Sequence, residues 1–148
     1  MNQSPGALHL VACVKEKAGS PAPAAVLYRS TWFRKARAYV EGLGAPWFIL
    51  SALHGLVAPE QVLAPYEQSL HKMPAAQRRA WGERVVRQLE ELEYASTAPV
   101  VVLAGTRYRE PLAAWLGTRA VVPMARLAIG KQYAWLTAHT VQREVSIK

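Results

Sequence analysis

The sequence predicts an α/β protein, a three-layer α/β/α sandwich built on a mostly parallel sheet of four strands or slightly more, in a single domain spanning residues 1–148. Three observations carry this expectation. Short apolar runs alternate with segments of helical spacing, the strand-helix alternation of a parallel sheet with helical crossovers. The main runs are nearly continuous, which suits strands covered on both faces. The length of 148 residues gives one domain that buries roughly two-thirds of its unfolded surface, and about half of the residues are apolar.

The first strand is expected over residues 7–14, an apolar run ending at Lys15-Glu16-Lys17 and a Gly/Pro-rich loop. Cys13 lies inside that run and reads as a small buried hydrophobe. Ser30 or Thr31 can cap a helix running to about Leu43, where Gly42 and Gly44 stop it. Phe33, Ala36, Val40 and Leu43 form its core stripe, Arg29, Arg34, Lys35 and Arg37 populate the other side, and Trp32 falls off the stripe as an exposed aromatic. Trp47 to Leu50 reads as the second strand. Pro74 then opens a long helix to about Tyr94, with Trp81, Val85, Leu89 and Leu92 inward and Arg78, Arg79, Arg84 and Arg87 on the other flank. These arginines come early and Glu90, Glu91 and Glu93 late, against the helix dipole, which suggests an external anion as their reason. Val100 to Leu103 is the third strand, followed by a helix to about Leu116 with Pro111 in its first turn. Ala120 to Pro123 reads as a short edge strand, and Gln132 to about Val145 as the last helix, with Trp115 and Trp135 assigned to the core.

The stretch from Pro46 to His71 is where a site is expected. Its strand stops abruptly at Ser51, Ala52 and His54-Gly55, and ligands of open parallel sheets collect beyond the carboxyl ends of strands. The following polar loop carries Pro59-Glu60 and Pro65-Tyr66-Glu67, where each proline restricts the backbone beside a carboxylate. The other strand ends add Lys15 and Lys17, then Gly105, Arg107 and Tyr108, then Arg126 and Lys131.

Charge narrows the partner. Eighteen Lys and Arg against ten acids gives a net +8, and all ten acids are glutamate. The excess argues for a polyanion, with nucleic acid ahead of membrane because no segment has a lipid-type amphipathic face. The lack of Asp argues against most Mg²⁺-dependent phosphoryl chemistry. One cysteine excludes an internal disulfide and a multi-thiolate zinc site, and the histidines at 9, 54, 71 and 139 have no ligand spacing, so neither metal nor cofactor is expected. The single cysteine and the lack of a signal-like N-terminus lead to the expectation of a cytoplasmic protein, and a monomer is expected. Phosphate-binding loops of the Walker and dinucleotide types and the Gly-x-Ser-x-Gly elbow are absent.

The remaining groups fit cleavage of an N-glycosidic bond. A carboxylate or imidazole positions water (Glu67, His54, Glu60), polar groups and aromatics hold the base (Ser51, Gly55, Tyr66, Gly105, Arg107, Tyr108, Lys15, Lys17, Lys131), and Arg29, Arg34, Lys35, Arg37, Arg78 and Arg79 contact the nucleic-acid backbone. Two alternatives stay open: a DNA-binding protein without catalysis, and a hydrolase of free nucleosides or nucleotides.

These residues also carry a resemblance. Ser51-Ala52-Leu53-His54-Gly55-Leu56-Val57 followed by Pro65-Tyr66-Glu67-Gln68-Ser69-Leu70 resembles the signature block of the DUF6884 family, which is similar in layout to that of the YaaA peroxide-stress proteins. The likeness extends to Val11-Ala12-Cys13 with Lys15 and Lys17, to Pro23-Ala24 and Leu27-Tyr28 with Phe33 and Ala36, to Ala104-Gly105 with Tyr108, and to Ile129-Gly130-Lys131. Leu53 stands where the block usually has Lys, and Glu67 where it usually has Asp. The resemblance implies the three-layer shape of uracil-DNA-glycosylase-type enzymes, DNA as partner, a place for Tyr28 among the substrate-binding residues, and a role in DNA repair or antiviral defence.

Overall fold

The structure is a computed structural model that describes residues 7–15, 17–92 and 98–141. Its centre is a five-stranded sheet ordered β4-β3-β1-β6-β7, formed by β1 (Leu8–Ala12), β3 (Trp47–Ser51), β4 (Gly55–Val57), β6 (Val100–Leu103) and β7 (Ala120–Val121). β1 pairs in parallel with β3 on one side (Val11 opposite Ile49) and with β6 on the other (Val11 opposite Leu103). β7 extends the sheet in parallel at one edge. β1 and β6 are buried throughout, as their unbroken apolar runs require.

Helices cover both faces. The chain leaves β1 through α2 (Thr31–Leu43) to β3, then recrosses β1 through α3 (Ala75–Glu90) to β6. Right-handed connections running in opposite directions place their helices on opposite faces. In keeping with this, α2 packs on α6 (Ile129–His139), while α3 packs on the 3₁₀ turn Glu110–Leu112. The sandwich expected from the sequence is the one observed.

Local chemistry sets the helix ends. Ser30 Oγ accepts from the Phe33 N–H at 3.0 Å, and Gly44, at φ 68°, returns its N–H to the final carbonyls of α2. The buried stripe of α2 is Phe33, Ala36, Tyr39 and Val40. In α3 the buried residues are Trp81, Gly82, Val85 and Leu89. A Cβ on Gly82 would lie 2.6 Å from Pro111 Cβ and 2.7 Å from its carbonyl oxygen, so only glycine permits this helix contact.

Several elements differ from the sequence expectation. The stretch after β3 is not an irregular loop. A three-residue turn returns it as β4, antiparallel to β3 with Ser51 opposite Gly55, and Gly55 adopts φ 78° at the reversal. Further on, β5 (Val62–Leu63) pairs with β2 (Ala22–Pro23) in a separate two-stranded sheet, against which α1 (Ala24–Leu27) begins. The helix expected up to Leu116 is broken into α4 (Thr106–Arg109), the 3₁₀ turn holding Pro111, and α5 (Ala113–Leu116), because proline has no N–H to continue the ladder. The last helix begins at Ile129 rather than Gln132 and ends at His139, and α3 ends at Glu90. The expected helix ends Tyr94 and Val145 lie outside the described residues. Trp32 is not the exposed aromatic of the sequence reading, since it is half-buried and its indole N–H donates to Gln132 Oε1 at 2.8 Å.

His9 is buried beneath α2, its Nδ1 2.7 Å from the Ala7 carbonyl and its Nε2 without a hydrogen-bond partner. Its ring meets Tyr39 edge-on at 6.1 Å. Among the described residues no helix is long and apolar enough to cross a membrane.

Candidate functional site

The first crossover runs from β1 to β3 and the second turns back across β1 to β6, so the topological switch point lies between the carboxyl ends of β1 and β6, where open sheets of this kind accept ligands. Two clefts open there. One, of about 530 Å³, lies between the end of β1 and residues 66–72, with Lys15, Lys17, Tyr66, Glu67, Lys72 and Tyr108 in its lining. The other, of about 430 Å³, is walled by Trp32, Gly105, Thr106, Val122, Met124 and Gln132 among others. Cys13, Val14, His71 and Tyr108 line both, and Cys13 Sγ lies 3.2 Å from the Tyr108 hydroxyl on the boundary.

A hydroxyl cluster fixes the wall of the first cleft. Ser51 is fully buried at the end of β3, with its Oγ 2.7 Å from the Tyr66 hydroxyl, which lies 2.6 Å from that of Tyr28. Ser51 Oγ also accepts from the His54 N–H at 3.0 Å, and the Ser51 carbonyl accepts from Trp81 Nε1 at 2.8 Å. The loop bearing Tyr66 is therefore tied to the sheet by the phenol, which leaves the ring for the cleft. Lys17 extends over that ring, Nζ 4.4 Å from its centroid, and donates to the Lys15 carbonyl at 3.2 Å.

Burial decides the protonation of these groups. Burial first, then Cys13, pushes Tyr28 up to about 12, against bonds to Tyr66 and Ser51 that pull the other way. Tyr66 and Tyr108 are raised for the same leading reason, so all three phenols stay neutral at physiological pH. Lys17 is lowered by burial, with Cys13 and Glu67 opposing. His54 is lowered by burial and then by Arg84, which favours the uncharged imidazole.

The family model described as Family of unknown function (DUF6884) matches residues 8–138. The chain belongs to that family. No curated protein and no solved structure matches it.

The DUF6884 chain gathers part of the residue set expected from its sequence. Lys15, Lys17, Tyr66, Glu67 and Tyr108 line the first cleft, and Gly105 lines the second. Ser51 and Tyr28 stand behind Tyr66 and hold its hydroxyl. His54 is also behind it, its ring edge-on to Tyr66 at 5.5 Å, and does not line the cleft. Gly55 is a hairpin glycine under α3: a Cβ there would come within 2.4 Å of Gln88 Oε1, which accepts the Leu56 N–H at 2.8 Å. Glu60 lies exposed on the turn leading into β5, and neither it, Arg107 nor Lys131 lines either cleft.

The expected backbone-contacting cations divide. Arg37 pairs with Glu41 at 3.0 Å and donates to the Ala25 carbonyl at 3.1 Å. Lys35 donates to Thr137 Oγ1 at 2.7 Å, and Arg78 holds the Met73 carbonyl at the start of α3. These three serve the fold, whereas Arg29, Arg34 and Arg79 are exposed.

The cleft also holds residues that sequence reasoning did not select, above all His71 and Lys72, with Gln68 and Ser69 between them and Glu67. His71 sits in a 3₁₀ turn (Leu70–Lys72) whose cap is the Ser69 side chain, and its ring meets Tyr108 edge-on at 6.3 Å. The available signal was its place four residues after Glu67 at the end of the signature block. Trp32 and Gln132 were also missed; they come from α2 and α6, whose approach no local pattern reveals.

Proposed function

We propose that this DUF6884 protein cleaves the N-glycosidic bond of a damaged or modified base in DNA. One observation carries the reading: Glu67 and His71, both exposed and four residues apart, line one cleft together with Lys15, Lys17, Lys72 and the rings of Tyr66 and Tyr108. Carboxylate, imidazole, cations and aromatic faces are the groups this reaction needs, and none of its steps requires a redox partner. The lysines attract the phosphates of a nucleotide turned out of its stack into the clefts at the sheet's carboxyl edge. Glu67 orients a water and accepts its proton as the oxygen bonds to the anomeric carbon. The bond between that carbon and the base nitrogen breaks with its electron pair on nitrogen, and His71 or solvent supplies the proton that neutralises the leaving base. The similarity of the signature block to that of YaaA proteins, and the three-layer architecture, are in keeping with a DNA substrate and a place in repair or antiviral defence.

The test is incubation of the purified protein with duplex and single-stranded DNAs carrying a panel of modified bases, followed by mass spectrometry of released bases and alkaline scission at abasic sites. Base release is expected, and Glu67→Gln should lower its rate by about 100-fold or more, the usual scale of a general base. Intact strands across the panel would overturn the reading. A second reading, DNA binding without catalysis, is favoured by the commitment of the Tyr28 and Tyr66 hydroxyls to the protein itself. It expects strongly salt-dependent retention of DNA with no base released.

A further inference from the structure

The two clefts differ in chemistry yet meet at a shared boundary. The first presents three lysines, and Lys17 uses one of its three N–H donors on the Lys15 carbonyl, leaving two for an anion. The second presents Trp32, Val122 and Met124, with Ile129 at its rim left more than half exposed. Solvent-exposed apolar surface at the mouth of a concavity is surface that a ligand can cover. The second cleft's polar lining includes Arg109, whose guanidinium is engaged with the Ala104 carbonyl and Thr106 Oγ1, and Gln132, whose amide accepts from Trp32 and donates to the Leu127 carbonyl at 2.8 Å, leaving one lone pair and one N–H. Both volumes fall in the range of small-ligand sites, roughly 300–1,000 Å³.

We infer that the two clefts are halves of one nucleotide site, in which the phosphate lies among Lys15, Lys17 and Lys72 and the base lies in the apolar cleft beside Trp32. The inference rests on the glycosidase reading and deepens it by assigning each half of the substrate a place. The sugar then crosses the boundary at Tyr108 and His71, which brings the glycosidic bond beside His71, at the edge of the lobe that Glu67 lines. Cys13 and Tyr108, paired at 3.2 Å, form the floor of that crossing.

Gly105 supplies a clean probe. It lines the base half, and a Cβ built there meets nothing within 4 Å, so Gly105→Leu adds apolar bulk at the wall of that cleft without a clash at the backbone. Lys72 is exposed, so Lys72→Ala removes charge from the phosphate half without cost to the core.

The experiment is calorimetric titration of the purified chain with the four deoxynucleoside 5′-monophosphates, their nucleosides and inorganic phosphate. At least one monophosphate is expected to bind about tenfold or more tightly than its nucleoside and than phosphate. Lys72→Ala and Lys17→Met should erase most of that advantage and leave the nucleoside within about twofold; Gly105→Leu should weaken nucleoside and nucleotide together and spare phosphate. Lys72→Ala keeps the test decisive if Lys17→Met does not fold. A short single-stranded oligonucleotide that binds more tightly than the monophosphate assigns the site to a nucleotide in a strand; otherwise it assigns the site to a free nucleotide. No monophosphate binding up to millimolar concentration, or variants that affect all three ligand classes alike, would overturn the inference. If binding divides as expected but no base is ever released, the hydrolytic reading falls and the nucleotide site stands. If base release proceeds while Gly105→Leu and Lys72→Ala leave binding and rate unchanged, the two-cleft site falls and the hydrolytic reading stands.

Discussion

Tyr66→Phe separates what the phenol does for the fold from what the ring does for the cleft. The substitution removes one oxygen, which lies 2.7 Å from Ser51 Oγ and 2.6 Å from the Tyr28 hydroxyl. A typical buried hydrogen bond contributes about 1 kcal/mol net, so two lost bonds amount to about 2 kcal/mol. The cost is kept near that figure because Ser51 Oγ still accepts from the His54 N–H and Ser51 also lies close enough to Tyr28 to influence its acidity. For a chain of this size about 2 kcal/mol lowers Tm by roughly 4–8 °C. Tyr28→Phe removes a shared bond from the other end, so the double variant should be less destabilised than the sum of the singles by about 1 kcal/mol. Urea titrations followed by circular dichroism give the three free energies. The ring beneath Lys17 is retained, so ligand affinity should change less than about threefold. Single variants within 0.3 kcal/mol of the parent, or costs that simply add, would show that the three hydroxyls do not meet as described. A loss of activity far beyond the loss of stability would show that the phenol itself takes part in the chemistry.

The remaining predictions address the helix contact, the buried histidine and salt. Gly82→Ala should destabilise by about 1–2 kcal/mol in chemical denaturation, because the new methyl meets the Pro111 backbone and this outweighs the ordinary gain of about 1 kcal/mol from alanine in a helix; a stabilised variant would refute the close approach. His9 has its folded-state pKa lowered by burial, so the unfolded chain takes up the proton first. Its contribution to stability is therefore complete above about pH 6.5, the ordinary imidazole value, and is lost as pH falls from there through the lower folded value. Denaturation at pH 7.5 and 5.5 should accordingly show a smaller acid-side loss in His9→Phe than in the parent, and equal losses would refute it. Retention of a short DNA should weaken steeply between 50 and 200 mM salt, and Lys72→Ala should reduce the slope by about one unit; an unchanged slope would place the phosphates elsewhere.

The alternation of apolar runs and helical stripes was sufficient to locate β1, β3 and β6 and the three long helices, since burial on two faces leaves a direct mark on residue type. The edges were less legible. β4 is three residues long and β5 two, too short for periodicity to show, and their pairing depends on a turn at Gly55 and on contact with residues 22–23. Pro111 was read as lying in the first turn of one helix to Leu116, but helical structure begins already at Thr106, so the proline falls inside the segment and breaks it.

For the site, sequence alone determined that Lys15, Lys17, Glu67, Gly105 and Tyr108 stand at or near strand ends, and the topology of any such sheet brings those ends to one side. Only the tertiary structure decided which way each group faces. Ser51, Tyr28 and His54 turned inward to hold Tyr66, while His71 and Lys72 came forward into the cleft. The physical reason is that a hydroxyl or an imidazole takes whatever partner the fold brings within about 3 Å, and the partners here lie far apart in sequence: Tyr28 with Tyr66, Trp32 with Gln132, Cys13 with Tyr108. Local pattern records burial and backbone preference; it carries no trace of a bond closed across ninety residues.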